Sequence, residues 1–309
     1  MRHAAHHLRL SSLSAIAVLL VAAAAALSCG SAQFNANEAV DTRNKDFAGR
    51  APLKTKAEID RERSAVQDQV LAEYRQCPNC FVKKHKVRER SYLFDAVADC
   101  DTAIRVGRLN DGGKWVCSPQ MLPQPAIVYS FGVGEDISFD TDMAGLFGSQ
   151  VYMFDPTPSV VAHFGQPTWE KGCGSGRIHY EALGVGPVSS PDGLELEGKK
   201  LPMQTVADIA RSHNHPRIDI LKMDIEGGEY TVLKQVLQTH ALAALNVQQV
   251  LIEFHFWDNH AFMDFVGLVD GLKQQGYMLF RKEFNASSNA DKCAEYAFLK
   301  AAPPPAANP

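Results

Sequence analysis

The sequence predicts an α/β protein: a doubly wound, mostly parallel sheet behind a helical, cysteine-containing extension. Three observations predict it. Five short apolar runs recur between residues 126 and 254, and four of them stop at a Gly or an Asp. Segments with apolar residues at helical spacing lie between them. Two further strand-like runs, Tyr277 to Phe284 and Glu295 to Leu299, close the chain as a pair. Strands alternating with helices bury their apolar faces best as a parallel sheet with helices on both sides.

Taken in order, the chain opens with a targeting pattern. Arg2 and Arg9 precede an uncharged apolar run from Leu13 to Leu27, followed by the small residues Ser28-Cys29-Gly30-Ser31-Ala32. Basic, apolar and small in that order is the pattern of a signal peptide. Counted from Leu10, the run is also long enough for an uncleaved anchor, so residues 1–32 read as one or the other. Residues 33–120 read as a linker and an N-terminal extension. Within it, Thr55-Lys56-Ala57-Glu58 is a capping box, and Ile59, Val66, Val70 and Tyr74 predict a helix over 56–75. Cys77-Pro-Asn-Cys80 stops that helix, and Asp111-Gly112-Gly113 predicts a tight turn with a strand on either side.

From 121 to 301 the alternating pattern takes over. The strands are Ala126 to Ser130, Val151 to Phe154, Arg177 to Ala182, Ile218 to Met223 and Gln249 to Phe254. Val206, Ile209 and Ala210 mark one helical face; Tyr230, Leu233 and Leu237 a second; Phe262, Val266 and Val269 a third, stopped by Gly276. The Pro- and Ala-rich end, 302–309, is expected to be a disordered tail.

Composition narrows the function. Hydrophobic residues make up 46% of the 309 and charged residues 21%, which excludes wholesale disorder. With a formal charge of −4, nothing global suggests nucleic acid; the short run Lys83 to Arg88 reads as a solvated loop or helix face, with contact to phosphates as the alternative. Six of the seven cysteines lie beyond the signal, an even number suited to disulfides in an oxidising compartment. A hairpin at Asp111 would bring Cys100 to Cys117. Cys77 and Cys80 are close enough to pair locally, which leaves Cys173 and Cys293 joined only by the even count. No second CxxC and no CxxH exists, so a zinc site is not expected. Asn285-Ala286-Ser287 is a glycosylation sequon.

In a doubly wound sheet, ligands bind beyond the carboxyl ends of the strands. After the first strand stands Ser130-Phe131-Gly132-Val133-Gly134-Glu135-Asp136, and the second ends in Asp155. A nicotinamide dinucleotide wants a third glycine and donors for its pyrophosphate. Ile137 holds that glycine's position, and Glu135 and Asp136 would repel phosphate. S-adenosylmethionine, with a sulfonium, an ammonium and no phosphate, suits an acidic crevice.

At these motifs the chain resembles the FkbM-like S-adenosylmethionine-dependent methyltransferases. VYSFGVGEDISFD, VYMFDPTP, EALGVG, IDILKMDIEGGEYTVL and LIEFHFW follow that family's order over roughly residues 98–300. CDTAIRVGRLNDGGKWVC is similar to its secreted or membrane-anchored branch. The resemblance implies a Rossmann-like class I sheet and O-methylation, often of a sugar hydroxyl. It places Gly132 and Gly134 at the methionine end of the cofactor, Asp155 at the ribose, and Glu181 and Ala182 near adenine. Asp224 and Glu226 face the reacting centre, and Asp111 contributes to a lid over the cofactor. Gly228 departs from the pattern and should weaken the start of the following helix by up to about 1 kcal/mol.

For Asp224 the alternative role is helix capping, and for Glu226 it is stabilising the first turn. His255, on the same side of its strand as Glu253, is the best candidate for a general base, with a titration near 6.5 if unperturbed. A structural histidine is the alternative. Trp257 offers a stacking face for a sugar, with packing as the alternative and more common use of a Trp. The acids show no third metal ligand, so no metal is assigned. The expected activity is methyl transfer to a glycan or other hydroxylated acceptor in the secretory pathway; the alternative is a secreted or anchored binding module that keeps the fold without turnover.

Overall fold

The computed structural model describes residues 54–84, 94–109, 111–164, 176–196, 198–256, 259–284 and 292–301. The targeting segment, Trp257, Cys173, the sequon and the Pro-rich tail lie outside the described residues. The described residues pack as one unit.

A seven-stranded sheet organises it, in the order β11–β12–β10–β9–β3–β4–β5. These are β3 (Ile127–Phe131), β4 (Gln150–Phe154), β5 (Ile178–Glu181), β9 (Ile220–Met223), β10 (Gln249–His255), β11 (Tyr277–Phe284) and β12 (Cys293–Lys300). β3 pairs in parallel with β4 and β9, β4 with β5, and β9 with β10. Only β12 runs against its neighbours in this sheet. From the central β3 the chain winds outward to β5 and returns to the other side through β9. The strand order therefore reverses between β3 and β9, where a crevice opens at the carboxyl ends. All five strands expected from the apolar runs are present, as is the closing pair.

Alternating side chains feed two cores. Tyr129, Phe131, Leu221 and Phe254 join Ile209 of α5 (Val206–Ser212), Leu233 of α6 (Glu229–Gln238) and Phe265 of α8 (Asn259–Gln274). Val128, Val151 and Ile220 join Phe139 of α3 (Ser138–Phe147) and Val160 of α4 (Pro158–Phe164) on the other face. Each large side chain so buried contributes roughly 1.5–3 kcal/mol.

Before the sheet lie α1 (Lys56–Gln76), α2 (Pro78–Lys84) and the antiparallel hairpin of β1 (Ala103–Val106) and β2 (Lys114–Cys117). Both halves of the expected Thr55–Glu58 capping box form. The helix expected over 56–75 is present, and only part of its apolar stripe is buried. Ile59 and Val66 are 37% and 57% exposed, while Gln67 and Leu71 are buried, with Val70 and Tyr74 at the edge of the core. The chain also builds a three-stranded sheet from β6 (Gly184–Val185), β7 (Ser190–Leu196) and β8 (Lys199–Gln204), and a short α7 (Ala241–Ala244). Disulfides join Cys77 to Cys80 and Cys100 to Cys117, the two pairs expected from spacing and from the hairpin. Among the described residues, no helix is long and apolar enough to cross a membrane.

Candidate active site

The loop after β3 is shaped by two glycines and held by two charged side chains. Gly132 adopts φ +69°, and a Cβ there would collide with the backbone carbonyl of Asp224, so only glycine lets the ends of β3 and β9 come together. Gly134, at φ +57°, has open space where its Cβ would point, which leaves that wall bare. Asp155 Oδ2 accepts the N–H groups of Val133 and Gly134 at 3.0 and 3.1 Å, and Oδ1 accepts Thr157 N–H at 2.9 Å. Three of its four lone-pair positions are thus committed to backbone. Asp155 therefore holds the loop, and it also lines the cavity where the ribose is expected. Lys222 Nζ secures the other side by donating to the Gly132 carbonyl at 2.6 Å.

Beside this loop lies a charged cluster. Lys114, on β2, is 1% exposed. Its ammonium donates to Asp224 at 3.0 Å, to Glu253 at 3.2 Å and to Glu295. Burial alone would lower its pKa, but Asp224, Glu295 and Glu253 hold it well above its ordinary value, so it stays charged. Glu295 is pushed up by burial against the pull of Lys114. Asp224 is therefore an ion-pair partner and not a helix cap. α6 begins at Glu229 with Gly228 before it and no capping side chain.

His255 ends β10 and is buried. Its Nδ1 lies 2.8 Å from Oε1 of the fully buried Glu229, which also accepts His255 backbone N–H at 2.9 Å. Its Nε2 is 3.5 Å from Glu226 Oε2. Burial works against the imidazolium, but the Glu229 hydrogen bond and the charges of Glu229, Glu226 and Asp224 outweigh it and raise the pKa to about 9. The value near 6.5 expected for an unperturbed ring is thereby corrected upward. Glu226 takes φ +55°, a left-handed conformation that costs a non-glycine residue roughly 1–2 kcal/mol. Burial pushes its carboxyl up, His255 opposes this, and Asp224, Glu253 and Glu229 add to the rise.

Beside these groups opens a cavity of about 600 Å³, within the range of small-molecule sites. Gly132, Gly134, Asp155, Asp224, Glu226, His255 and Asp111 all line it. Glu181 and Ala182, expected near adenine, do not; Glu181 instead lies 2.8 Å from His213 Nε2. Sequence reasoning missed Lys114, Lys222 and Glu229. A lysine inside the apolar run Ile-Leu-Lys-Met was the available signal for Lys222. The inward position beside Val116 on a short strand was the weaker one for Lys114.

The cavity fits S-adenosylmethionine. Among the described residues, seven carboxylates, counting Asp111, Glu135 and Asp136, face it against Arg108, Lys222, Lys292 and His255. That excess favours a ligand with a sulfonium and an ammonium over a pyrophosphate, and the open wall at Gly134 admits close approach. Three groupings among the described residues have ligand atoms within 4.8 Å of one another: Asp224–Glu253–Glu295, Asp224–Glu226–His255 and Glu253–His255–Cys293. The Lys114 ammonium already bonds all three carboxylates of the first, and no metal role is assigned to the other two.

Residues 63–300 match the model of a family described as a methyltransferase domain. Among solved structures, the methyltransferase FkbM from Methylobacillus flagellatus KT is 16% identical, with 58% of this chain and 47% of that one covered and a TM-score of 0.38. The chain thus spans about half of that protein's length. An rRNA methylase from Streptococcus thermophilus is 15% identical over 59% of this chain and 90% of its own, with a TM-score of 0.37. Magnesium protoporphyrin IX methyltransferase from Synechocystis PCC 6803, with bound SAH, is 10% identical over 58% and 76%, with a TM-score of 0.35. No match was found among curated proteins. The strand order and the family match over most of the chain lead to one conclusion: this protein belongs to the methyltransferase-domain family and has a Rossmann-like fold.

Proposed function

We propose that the chain methylates a hydroxyl oxygen on a glycan or other hydroxylated acceptor in the secretory pathway, with His255 as general base and Asp224 orienting the acceptor. The observation that carries this reading is the placement of His255 Nε2 at the cavity beside Asp224 and Glu226, with Nδ1 engaged by Glu229. S-adenosylmethionine, when bound, supplies an electrophilic methyl group. An alcohol attacking it must lose a proton, and neutral imidazole at Nε2 accepts one. Asp224, fixed by Lys114, can take a hydrogen bond from the hydroxyl and align its oxygen. Glu226, largely exposed at the mouth, faces the incoming acceptor.

The acidic lining weighs against a phosphate-rich acceptor such as nucleic acid. The N-terminal targeting pattern, the sequon and the two disulfides support a secreted or membrane-anchored protein facing an oxidising compartment. Methyl incorporation from labelled S-adenosylmethionine into a panel of neutral glycans tests the acceptor class. Transfer to a glycan hydroxyl is expected. Transfer confined to RNA or to a carboxylate contradicts the reading. Saturable binding of S-adenosylhomocysteine with no turnover on any acceptor would point to the non-catalytic binding module instead.

A further inference from the structure

Glu229 has no exposed surface, and both of its oxygens are engaged. Oε1 faces the backbone N–H and the Nδ1 of His255, at 2.9 and 2.8 Å. Oε2 accepts Gly227 N–H at 2.8 Å. The next residue completes the grip, because Tyr230 donates its hydroxyl to the His255 carbonyl at 2.8 Å. The first turn of α6 thus ties the end of β10 to the loop that carries Asp224 and Glu226. Holding a strand end requires only hydrogen-bonding groups. A buried carboxylate against one ring nitrogen does more, because it fixes which nitrogen keeps the proton.

An ionised carboxylate only accepts, so the nitrogen opposite it must carry hydrogen. When the imidazolium loses one proton, the Nδ1 proton stays on the ring, donated to Glu229, and the Nε2 proton is released. The remaining lone pair is then on Nε2, at the cavity. The groups around the ring, from every packed element, are consistent with this. Glu229 comes from α6, Asp224 and Glu226 from the loop before it, and Glu253 from the ring's own strand. Cys293 stands opposite His255 on β12, with Lys292 beside it, and Lys114 lies behind Asp224 and Glu253. Among these, Glu229 is the group bonded to Nδ1.

We propose that Glu229 is a positioning residue for methyl transfer: its buried carboxylate locks His255 in the tautomer whose Nε2 lone pair faces the acceptor. The proposal rests on the reading of His255 as general base. It is the arrangement in which a buried acid orients a catalytic imidazole without itself taking the proton.

The test begins with the unaltered chain, so it does not depend on a variant that folds. Nitrogen-15 NMR of labelled histidine, taken above the titration of His255, should show the proton on Nδ1. A proton on Nε2 overturns the proposal. Glu229→Gln, which keeps the side-chain size and removes the charge, should move the His255 titration to lower pH, toward the ordinary histidine value. The pH midpoint of kcat should move with it, and kcat should fall on the order of 10-fold or more at the optimum. KM for S-adenosylmethionine should stay within about twofold, since Glu229 is buried behind His255 and does not line the cavity. A folded Glu229→Gln protein whose kcat–pH profile coincides with wild type also overturns the proposal. His255→Ala distinguishes failure of the underlying reading. Full turnover in that variant removes His255 as the base, whereas the tautomer seen by NMR reports on the Glu229 contact itself.

Discussion

Asp155 and His255 show how neighbours redefine a side chain whose place is already fixed. Both reach the crevice because each stands at or just beyond the carboxyl end of a parallel strand, which is why Gly132, Gly134, Asp224 and Glu226 converge there too. Their duties depend on contacts that spacing does not reveal. Asp155 spends most of its acceptor capacity on the β3 loop, so Asp155→Ala should loosen that loop and weaken binding of S-adenosylhomocysteine by about 1–3 kcal/mol, measured by calorimetry. Unchanged affinity would show that the loop holds without it. His255 carries a pKa of about 9, so turnover should rise with pH through that value and not through 6.5, because the base acts only when neutral. Folding stability has the opposite sign. A histidine whose folded pKa is raised contributes stability that is complete below about 6.5, its ordinary value, and is lost as pH rises toward about 9. Thermal melting of wild type against His255→Ala across that window should converge at the alkaline end.

At the scale of elements, the β1–β2 hairpin is the part of the site least visible in advance. Its turn and its disulfide were legible from Asp111-Gly112-Gly113 and the flanking cysteines. Its purpose was not, because Lys114 lies 110, 139 and 181 residues from Asp224, Glu253 and Glu295. The hairpin is anchored by Arg105 Nε to Glu283 at 3.0 Å and by Arg281 stacked 4.1 Å from the Trp115 ring. Lys114→Met leaves three carboxylates without their cation and should destabilise the fold by about 3–5 kcal/mol. The loss should shrink at lower pH. Carboxyls raised in the folded state bind protons there that the unfolded chain does not, so stability falls as pH rises above the ordinary carboxylate range. Chemical denaturation at two pH values checks this; equal losses at both would contradict it. The β6–β8–β7 sheet escaped the sequence because Pro191 and Pro202 argue against strands and its side chains are mostly half-exposed or exposed. The helix over 56–75 was legible from its spacing, but which stripe it buries was not, because helical spacing alone admits more than one. Packing selected the one through Leu71, and Arg75 pairs with Asp270 of α8 beside it.

At the scale of the molecule, strand order and charge act together. The reversal between β3 and β9 opens the crevice, and the acids delivered by the loops and strands around it make it a site for a cationic cofactor. The fold was legible because its signals are local: apolar runs, glycine stops and strand-end acids. The buried ion cluster and the Glu229–His255 contact were not, because they join elements distant in sequence. The central claim is that His255, at this reversal, accepts the proton of a hydroxylated acceptor. The most direct test is methyl incorporation from labelled S-adenosylmethionine into a glycan acceptor, measured for wild type and His255→Ala alongside S-adenosylhomocysteine binding. The account predicts retained binding, a folded variant and a turnover lowered roughly 100-fold or more. Full turnover in folded His255→Ala would contradict it.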